Sequence, residues 1–238
     1  MKVLIPLAGR GSRFIEAGYT LPKPLVLIIK EPMIRWATKN LNIEDKDLIF
    51  FILKIHIDNY QLDQKLREIF SANIKIVVVD KITEGAPITL LQAKDIIDTE
   101  EELLIFNGDQ NFKENIIEMI RNLPLKYSGL IPVFHSTQTK FSYAQVDKGM
   151  DVIEVAEKIP ISSYATAGVY YFRHGKDFVW ATEQMISKDI RRGNEFFVCP
   201  VYNELLGRGD KIKATLIETF WPLGTPEDVE HFKRYYHP

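Results

Sequence analysis

Val3-Leu4-Ile5-Pro6-Leu7-Ala8-Gly9-Arg10-Gly11-Ser12-Arg13-Phe14, followed by Leu21-Pro22-Lys23-Pro24-Leu25, joins a short apolar run to a loop built for an anion. Val3 to Leu7 has the length and β-branched content of a buried strand. Gly9 and Gly11 let the backbone fold tightly and turn several N–H groups toward one point, and Ser12 adds a hydroxyl without bulk. Arg13 offers a planar fork of donors for phosphate oxygens. Lys23, stiffened by a proline on either side, offers a compact charge. A triphosphate tail fits such a nest, with Leu7, Ala8, Gly9, Gly11 and Ser12 around it. The bland reading of the glycine pair is a plain strand-to-helix turn, and it leaves Arg13 and the Pro-Lys-Pro unexplained. The segment is not a P-loop, because no Gly-Lys follows a four-residue gap. It is not a dinucleotide fingerprint, because Phe14 stands where the third glycine belongs.

Outward from this loop, short apolar runs at Val3 to Leu7, Leu48 to Leu53, Ile74 to Val79 and Leu103 to Phe106 alternate with helical patterns. The helical stretches are Met33 to Leu41, Asn59 to Phe70 and Ala86 to Ile97, the last with Ile88, Leu91, Ile96 and Ile97 at helical spacing. This rhythm predicts an α/β fold, a Rossmann-like doubly wound mixed sheet. Right-handed crossovers would bring the loops after Leu7 and after Phe106 to one cleft.

From Tyr127 the pattern turns strand-rich: Ser128 to Phe134, Tyr143 to Val146, Val152 to Ala156 and Ala165 to Phe172, then helical stretches and a strand near Lys211 to Glu218. Thr225-Pro226-Glu227-Asp228 reads as the capped start of a last helix running to Tyr236. Without a repeat or a flexible linker, residues 1–238 are expected to form one domain, with residues 1–125 binding nucleotide and 126–238 binding the acceptor.

Composition narrows the rest. The chain of 238 residues is 46% hydrophobic, and 30 basic against 32 acidic residues leave a formal charge of −2. That balance gives no bulk attraction to nucleic acid or anionic lipid, so bound phosphate must be held locally. No apolar run nears the roughly 20 residues of a membrane span, and Met1-Lys2 leads straight into a strand pattern, so a cytoplasmic location is expected. One cysteine, Cys199, excludes an intrachain disulfide and reads as a buried small apolar residue. His56, His135, His174, His231 and His237 lack metal-ligand spacing, and Trp36, Trp180 and Trp221 read as packing aromatics.

The first loop resembles the signature of the sugar-phosphate nucleotidyltransferases (nucleoside-diphosphate-sugar pyrophosphorylases), approximately L-A-G-G-x-G-[ST]-R followed by P-K-[PA]. The likeness covers residues 3–28, and later landmarks extend it across nearly the whole chain. It implies a GT-A-like nucleotidyltransferase fold, with nucleoside monophosphate passing from an NTP to a phosphorylated small acceptor, release of pyrophosphate, and a role in nucleotide-sugar and surface-polysaccharide synthesis. It implies Arg13 and Lys23 as catalytic residues, and Glu84, Gly85 and Ala86 as the base-recognition segment beside the phosphate loop. Asp109, in Asn107-Gly108-Asp109 after the strand Leu103 to Phe106, would hold Mg2+. The carboxylate suits that hard cation, which favours a few carboxylates plus phosphate and water. Glu157 and Lys158 resemble the family's E-K-P segment, the Glu meeting acceptor hydroxyls and the Lys its phosphate, with Asn107 and Gly168 beside them. The length fits members lacking an added C-terminal β-helix. Homo-oligomer formation is left open, as are the base and the acceptor, which ranges from hexose, heptose or polyol to a non-sugar phosphate.

One landmark departs from the pattern. The family's W-x-D-x-G-T supplies a second metal carboxylate, whereas this chain reads Trp221-Pro222-Leu223-Gly224-Thr225, with Pro222 in the place of the Asp. Glu195 and Glu218 are the candidate substitutes, although Glu218 stands about 13 Å of strand away. Two other readings follow from this gap: a glycosyltransferase using a nucleotide sugar, and a homologue that binds nucleotide or sugar phosphate without catalysis. The first does not need Arg13 and Lys23 against pyrophosphate. Against the second, Arg13, Lys23 and Asp109 all persist, and a purely structural descendant would need none of them.

Overall fold

Alternation of side chains across one wide sheet explains most of the architecture. The computed structural model describes residues 1–236, so His237 lies outside the described residues. The first half contributes β1 (Lys2–Pro6), the small ribbon β2 (Leu27–Ile28) and β3 (Glu31–Pro32), then β4 (Leu48–Leu53), β5 (Lys75–Val79), β6 (Leu103–Phe106) and β7 (Gln110–Phe112). The second half contributes β8 (Gly129–His135), β9 (Ser142–Val146), β10 (Val152–Glu157), β11 (Tyr164–Thr166), β12 (Val169–Phe172), β13 (Ile212–Leu216) and β14 (Phe220–Pro222). The main sheet runs β10-β9-β11-β8-β12-β6-β1-β4-β5, with β13 also beside β8.

β6, β1, β4 and β5 are parallel, with Val3 opposite both Leu48 and Leu104. Every residue of β4 is buried, as expected of a parallel strand covered on both faces. Leu4, Ile49, Phe51 and Ile105 pack into one core. Their alternates Val3, Ile5, Phe50 and Leu104 pack into another on the opposite face, as the two-residue period requires. The sheet is mixed because β12 returns antiparallel to β6.

The helices are shorter than the periodicity predicts. α1 (Ser12–Glu16) and α2 (Met33–Thr38) flank the first loop. The expected helix at Asn59 to Phe70 is two, α3 (Lys54–Tyr60) and α4 (Leu62–Ile69), because Gln61 between them is left-handed at φ 53°. The stretch Ala86 to Ile97 divides into α5 (Ala86–Leu90), a 3-10 turn and α6 (Lys94–Ile97). α7 (Ile116–Arg121), α8 (Gly175–Ser187) and α9 (Val201–Arg208) follow, and α10 (Pro226–Tyr235) closes the described chain.

Two irregularities shape the cleft. The predicted strand Ala165 to Phe172 is broken at Ala167-Gly168, where Gly168 takes φ 71°. There its carbonyl accepts from Asn107 N–H at 2.9 Å, tying the kink to the end of β6. In addition, β14 pairs antiparallel with β7, setting Pro222 opposite Gln110. α10 is fixed by a capping box between Thr225 and Asp228 and by Val229 and Phe232, which bury against Phe14, Met33 and Trp36. Burying two such side chains contributes roughly 3–6 kcal/mol in all. The C-terminal helix is thereby held against the phosphate loop.

Candidate functional site

The loops after β1 and β6 open onto one cleft of about 950 Å³, at the upper end of ligand pockets and roomy enough for two substrates. Leu7, Ala8, Gly9, Gly11, Ser12, Arg13, Lys23, Glu84, Gly85, Ala86, Asn107, Asp109, Glu157, Lys158 and Gly168 all line it. The residues singled out from the sequence for nucleotide and acceptor, with Asp109 for the metal, are therefore brought to the same cavity.

In the first loop, Gly11 is left-handed at φ 64° and caps α1. Gly9 has open space around it. Lys23 sits in a 3-10 turn, and its ammonium donates to Asp109 Oδ2 at 2.5 Å. Asp109 is anchored through its backbone, its carbonyl accepting from Leu223 N–H at 2.8 Å. Arg13 is exposed at the rim.

Elsewhere in the cleft, Gly85 has φ 136°, and a Cβ there would come within 2.0 Å of the Phe196 carbonyl oxygen. Phe196 N–H donates to Glu84 O at 2.8 Å, and the Glu84 carboxylate pairs with Arg191 at 2.8 Å. The segment Glu84 to Ala86 is thus strapped to the loop carrying Phe196 and Phe197, a contact no local signal announced.

Glu157 ends β10 and is buried, accepting a hydrogen bond from the Ser142 hydroxyl. Burial raises its pKa above the ordinary carboxylate range, against the opposing pull of Ser142 and Lys158. Lys158 is left-handed at φ 55° and lays its ammonium 4.3 Å from the Phe197 ring centre. Tyr170 and Cys199 lie buried at the cleft floor, and burial pushes both upward.

The candidates for a second carboxylate separate. Glu195 lines the cleft but stands with Glu157, adding its charge to the upward push there. Glu218 is exposed, its N–H held by Glu114 at 2.6 Å, and does not line the cavity. Sequence reasoning passed over two lining residues, Lys140 and Asp228, which form an ion pair at 2.6 Å. The capping motif marked Asp228 as a helix start, but only the folded chain brings it to the cleft. Of the four described histidines none lines the cavity.

Gly224 bears on whether a hard cation fits. A Cβ on Gly224 would stand 3.5 Å from Asp109 Oδ2 and 3.8 Å from Asp228 Oδ2, so the bare backbone leaves a cradle flanked by two carboxylates. Among the described residues no group of three or more His, Cys, Asp or Glu side chains is placed to hold a metal. A cation here would draw most of its ligands from phosphate and water, the habit of Mg2+. The residues fit that ion.

A glycine loop and a strand-end carboxylate lie on one edge of a mixed α/β sheet, where ligands bind in open α/β folds. The family model described as nucleotidyl transferase matches residues 2–221, and the chain belongs to that family. It is 24% identical to the low-salt glycan biosynthesis nucleotidyltransferase Agl11 of Haloferax volcanii, over 96% of this chain and 64% of that one. It is 25% identical to the bifunctional protein GlmU of Methanococcus aeolicus, over 96% of this chain and 53% of that one. The chain thus spans less than two thirds of the length of these curated relatives. Among solved structures, the nucleoside-diphosphate-sugar pyrophosphorylase from Vibrio cholerae RC9 matches with a TM-score of 0.81 at 24% identity, covering 98% of this chain and 99% of that one. The inositol-1-phosphate CTP transferase from T. maritima matches with a TM-score of 0.73 at 12% identity, covering 100% and 98%. The fold is that of the GT-A-like nucleotidyltransferases. Among the described residues no helix is long and apolar enough to cross a membrane.

Proposed function

We propose that the chain is a single-domain cytoplasmic enzyme that transfers nucleoside monophosphate from an NTP to a phosphorylated small metabolite, a sugar phosphate foremost. The observation that carries this reading is the meeting of Lys23 with Asp109 beside the glycine loop, within a chain of the nucleotidyl transferase family. An acceptor phosphate oxygen attacks the α-phosphorus, the bond from that phosphorus to the bridging oxygen of the β-phosphate breaks, and pyrophosphate leaves with the bonding electrons. No covalent protein intermediate forms.

The chain's part is alignment and charge stabilisation, as in phosphoryl transfer generally. Gly9, Gly11 and Ser12 cradle the leaving phosphates with Arg13 at the rim, and Lys23 turns from Asp109 to the α-phosphate. Glu84 to Ala86 receive the base. Glu157 and Asn107 orient acceptor hydroxyls, and Lys158 holds the acceptor phosphate. Asp109 would hold Mg2+, which supplies charge neutralisation at the phosphate oxygens when bound.

The test is pyrophosphate release with Mg2+, screening the four NTPs against sugar and non-sugar phosphates, with Asp109→Ala as control. Release confined to one NTP and acceptor, lost in the variant, is the expected result. Nucleotide binding without release would mark a non-catalytic homologue, and turnover of a nucleotide sugar without that of any NTP would mark a glycosyltransferase.

A further inference from the structure

Pro222 deprives the cleft of a carboxylate, yet the fold delivers another from a different element. We propose that Asp228, on the first turn of α10, serves with Asp109 as the second carboxylate for the divalent cation, with Lys140 as its displaceable counter-ion. The inference rests on the transferase reading and adds to it a ligand from outside the family's motif.

Gly224 fixes the geometry. Oδ2 of Asp109 and Oδ2 of Asp228 lie 3.5 Å and 3.8 Å from one point, the place of the missing Cβ. The two oxygens therefore cannot be further apart than those lengths laid end to end. A Mg2+ ion with oxygens at about 2.1 Å spans roughly 4 Å between opposite ligands, and side-chain rotation or one intervening water closes the difference. Pro222, paired with Gln110, has no side-chain donor to offer.

Helix capping accounts for only half of Asp228. Its Oδ2 accepts from Thr225 N–H at 3.1 Å, and its own N–H donates to Thr225 Oγ1 at 3.2 Å. Oδ1 is left over and meets Lys140 Nζ at 2.6 Å. The Asp228 side chain is 11% exposed, whereas Lys140 is 38% exposed. A carboxylate so covered needs a partner, and a flexible, half-exposed ammonium is one that a dication can replace. Lys23 is likewise ion-paired to Asp109, at 2.5 Å, although there the carboxylate is the more exposed partner. A cation between the carboxylates would free both lysines for phosphate oxygens.

Manganese alone, titrated without nucleotide and followed by the paramagnetic resonance of free Mn2+, tests this apart from turnover. Asp109→Asn and Asp228→Asn are each expected to weaken Mn2+ binding about tenfold or more, and Lys140→Met to tighten it at least about threefold. Adding Pro222→Asp to Asp228→Asn should restore affinity. Asn at 228 keeps the capping oxygen, and thermal unfolding verifies the fold. Lys140→Met leaves both carboxylates in place and stands in should Asp228→Asn fail to fold. Unchanged affinity in Asp228→Asn or Lys140→Met, with Asp109→Asn impaired, overturns the role of Asp228 and leaves the transferase intact. Indifference to Asp109→Asn, or no Mn2+ binding at all, removes the Asp109 metal assignment and this inference with it.

Discussion

Lys23 and Asp109, 86 positions apart in sequence, meet at 2.5 Å in the cleft. Their side chains keep about a quarter and a third of their exposure, so the pair contributes at most about 1 kcal/mol to stability. Its meaning is positional: the loops after β1 and β6 present a cation and an anion to one small volume. Lys23→Ala is accordingly expected to lower turnover by roughly 10²–10³-fold, the cost of losing one preorganised donor at a developing charge. Its melting temperature should stay within a few degrees of the unaltered chain. Pyrophosphate release and thermal unfolding, measured side by side, check this. A rate equal to that of the unaltered chain would remove Lys23 from the chemistry.

Glu157 should show the opposite balance. A carboxyl whose pKa is raised by burial binds more proton folded than unfolded. Its stabilising share is therefore full below the ordinary carboxylate range and lost as pH climbs through the raised folded value. Glu157→Gln keeps the acceptor for the Ser142 hydroxyl and abolishes the titration. We expect it to melt higher at pH 7, by roughly 2–4 °C for each kcal/mol recovered in a chain of this size. The difference should shrink toward pH 4 while KM for the acceptor rises. Melting curves against pH decide the point: a gap that widens on acidification would mean that burial is not what perturbs Glu157.

The parallel half was legible because its strands are runs buried on both faces, and Leu48 to Leu53 announces itself without help from partners. The order of the loops along the sheet then follows from handedness, which is why the sequence alone brings the loop carrying Asp109 to the same cleft as the first loop. Helix lengths were less legible. The turn at Gln61 and the break after Leu90 leave the apolar period intact, so periodicity runs straight through both. β14 and the Asp228 carboxylate were invisible for a different reason. Three residues of strand carry no pattern, and the capping motif explains Asp228 locally without requiring its neighbours across the cleft.

Cys199 is expected to be inert in the folded chain. It is 1% exposed, and burial raises its thiol pKa far above the usual value, leaving little thiolate at pH 8. A chromogenic disulfide reagent should titrate it only on unfolding. Stoichiometric labelling within minutes, without loss of structure, would show that the cleft floor opens.

Gly85 gives the sharpest structural test of the segment Glu84 to Ala86. At φ 136° and ψ 167° it occupies a region essentially reserved to glycine, which costs other residues about 1–3 kcal/mol. A methyl group there would also sit 2.0 Å from the Phe196 carbonyl oxygen, which belongs to backbone and cannot rotate away. Gly85→Ala must therefore either strain the segment or part it from Phe196, breaking the bond from Phe196 N–H to Glu84 O. The expected cost is about 2–4 kcal/mol, toward the large end for a single substitution. Nucleotide affinity should fall as well, because the strap positions Glu84 and Ala86. Gly193→Ala provides the control. Its φ of 63° is also left-handed, yet nothing lies within 4 Å of the added Cβ, so only the backbone strain of about 1 kcal/mol applies. Urea unfolding and nucleotide binding of the two variants separate close approach from conformational strain. Equal destabilisation with equal nucleotide affinity would show that the Phe196 loop yields to the methyl group and does not hold the segment Glu84 to Ala86 in place.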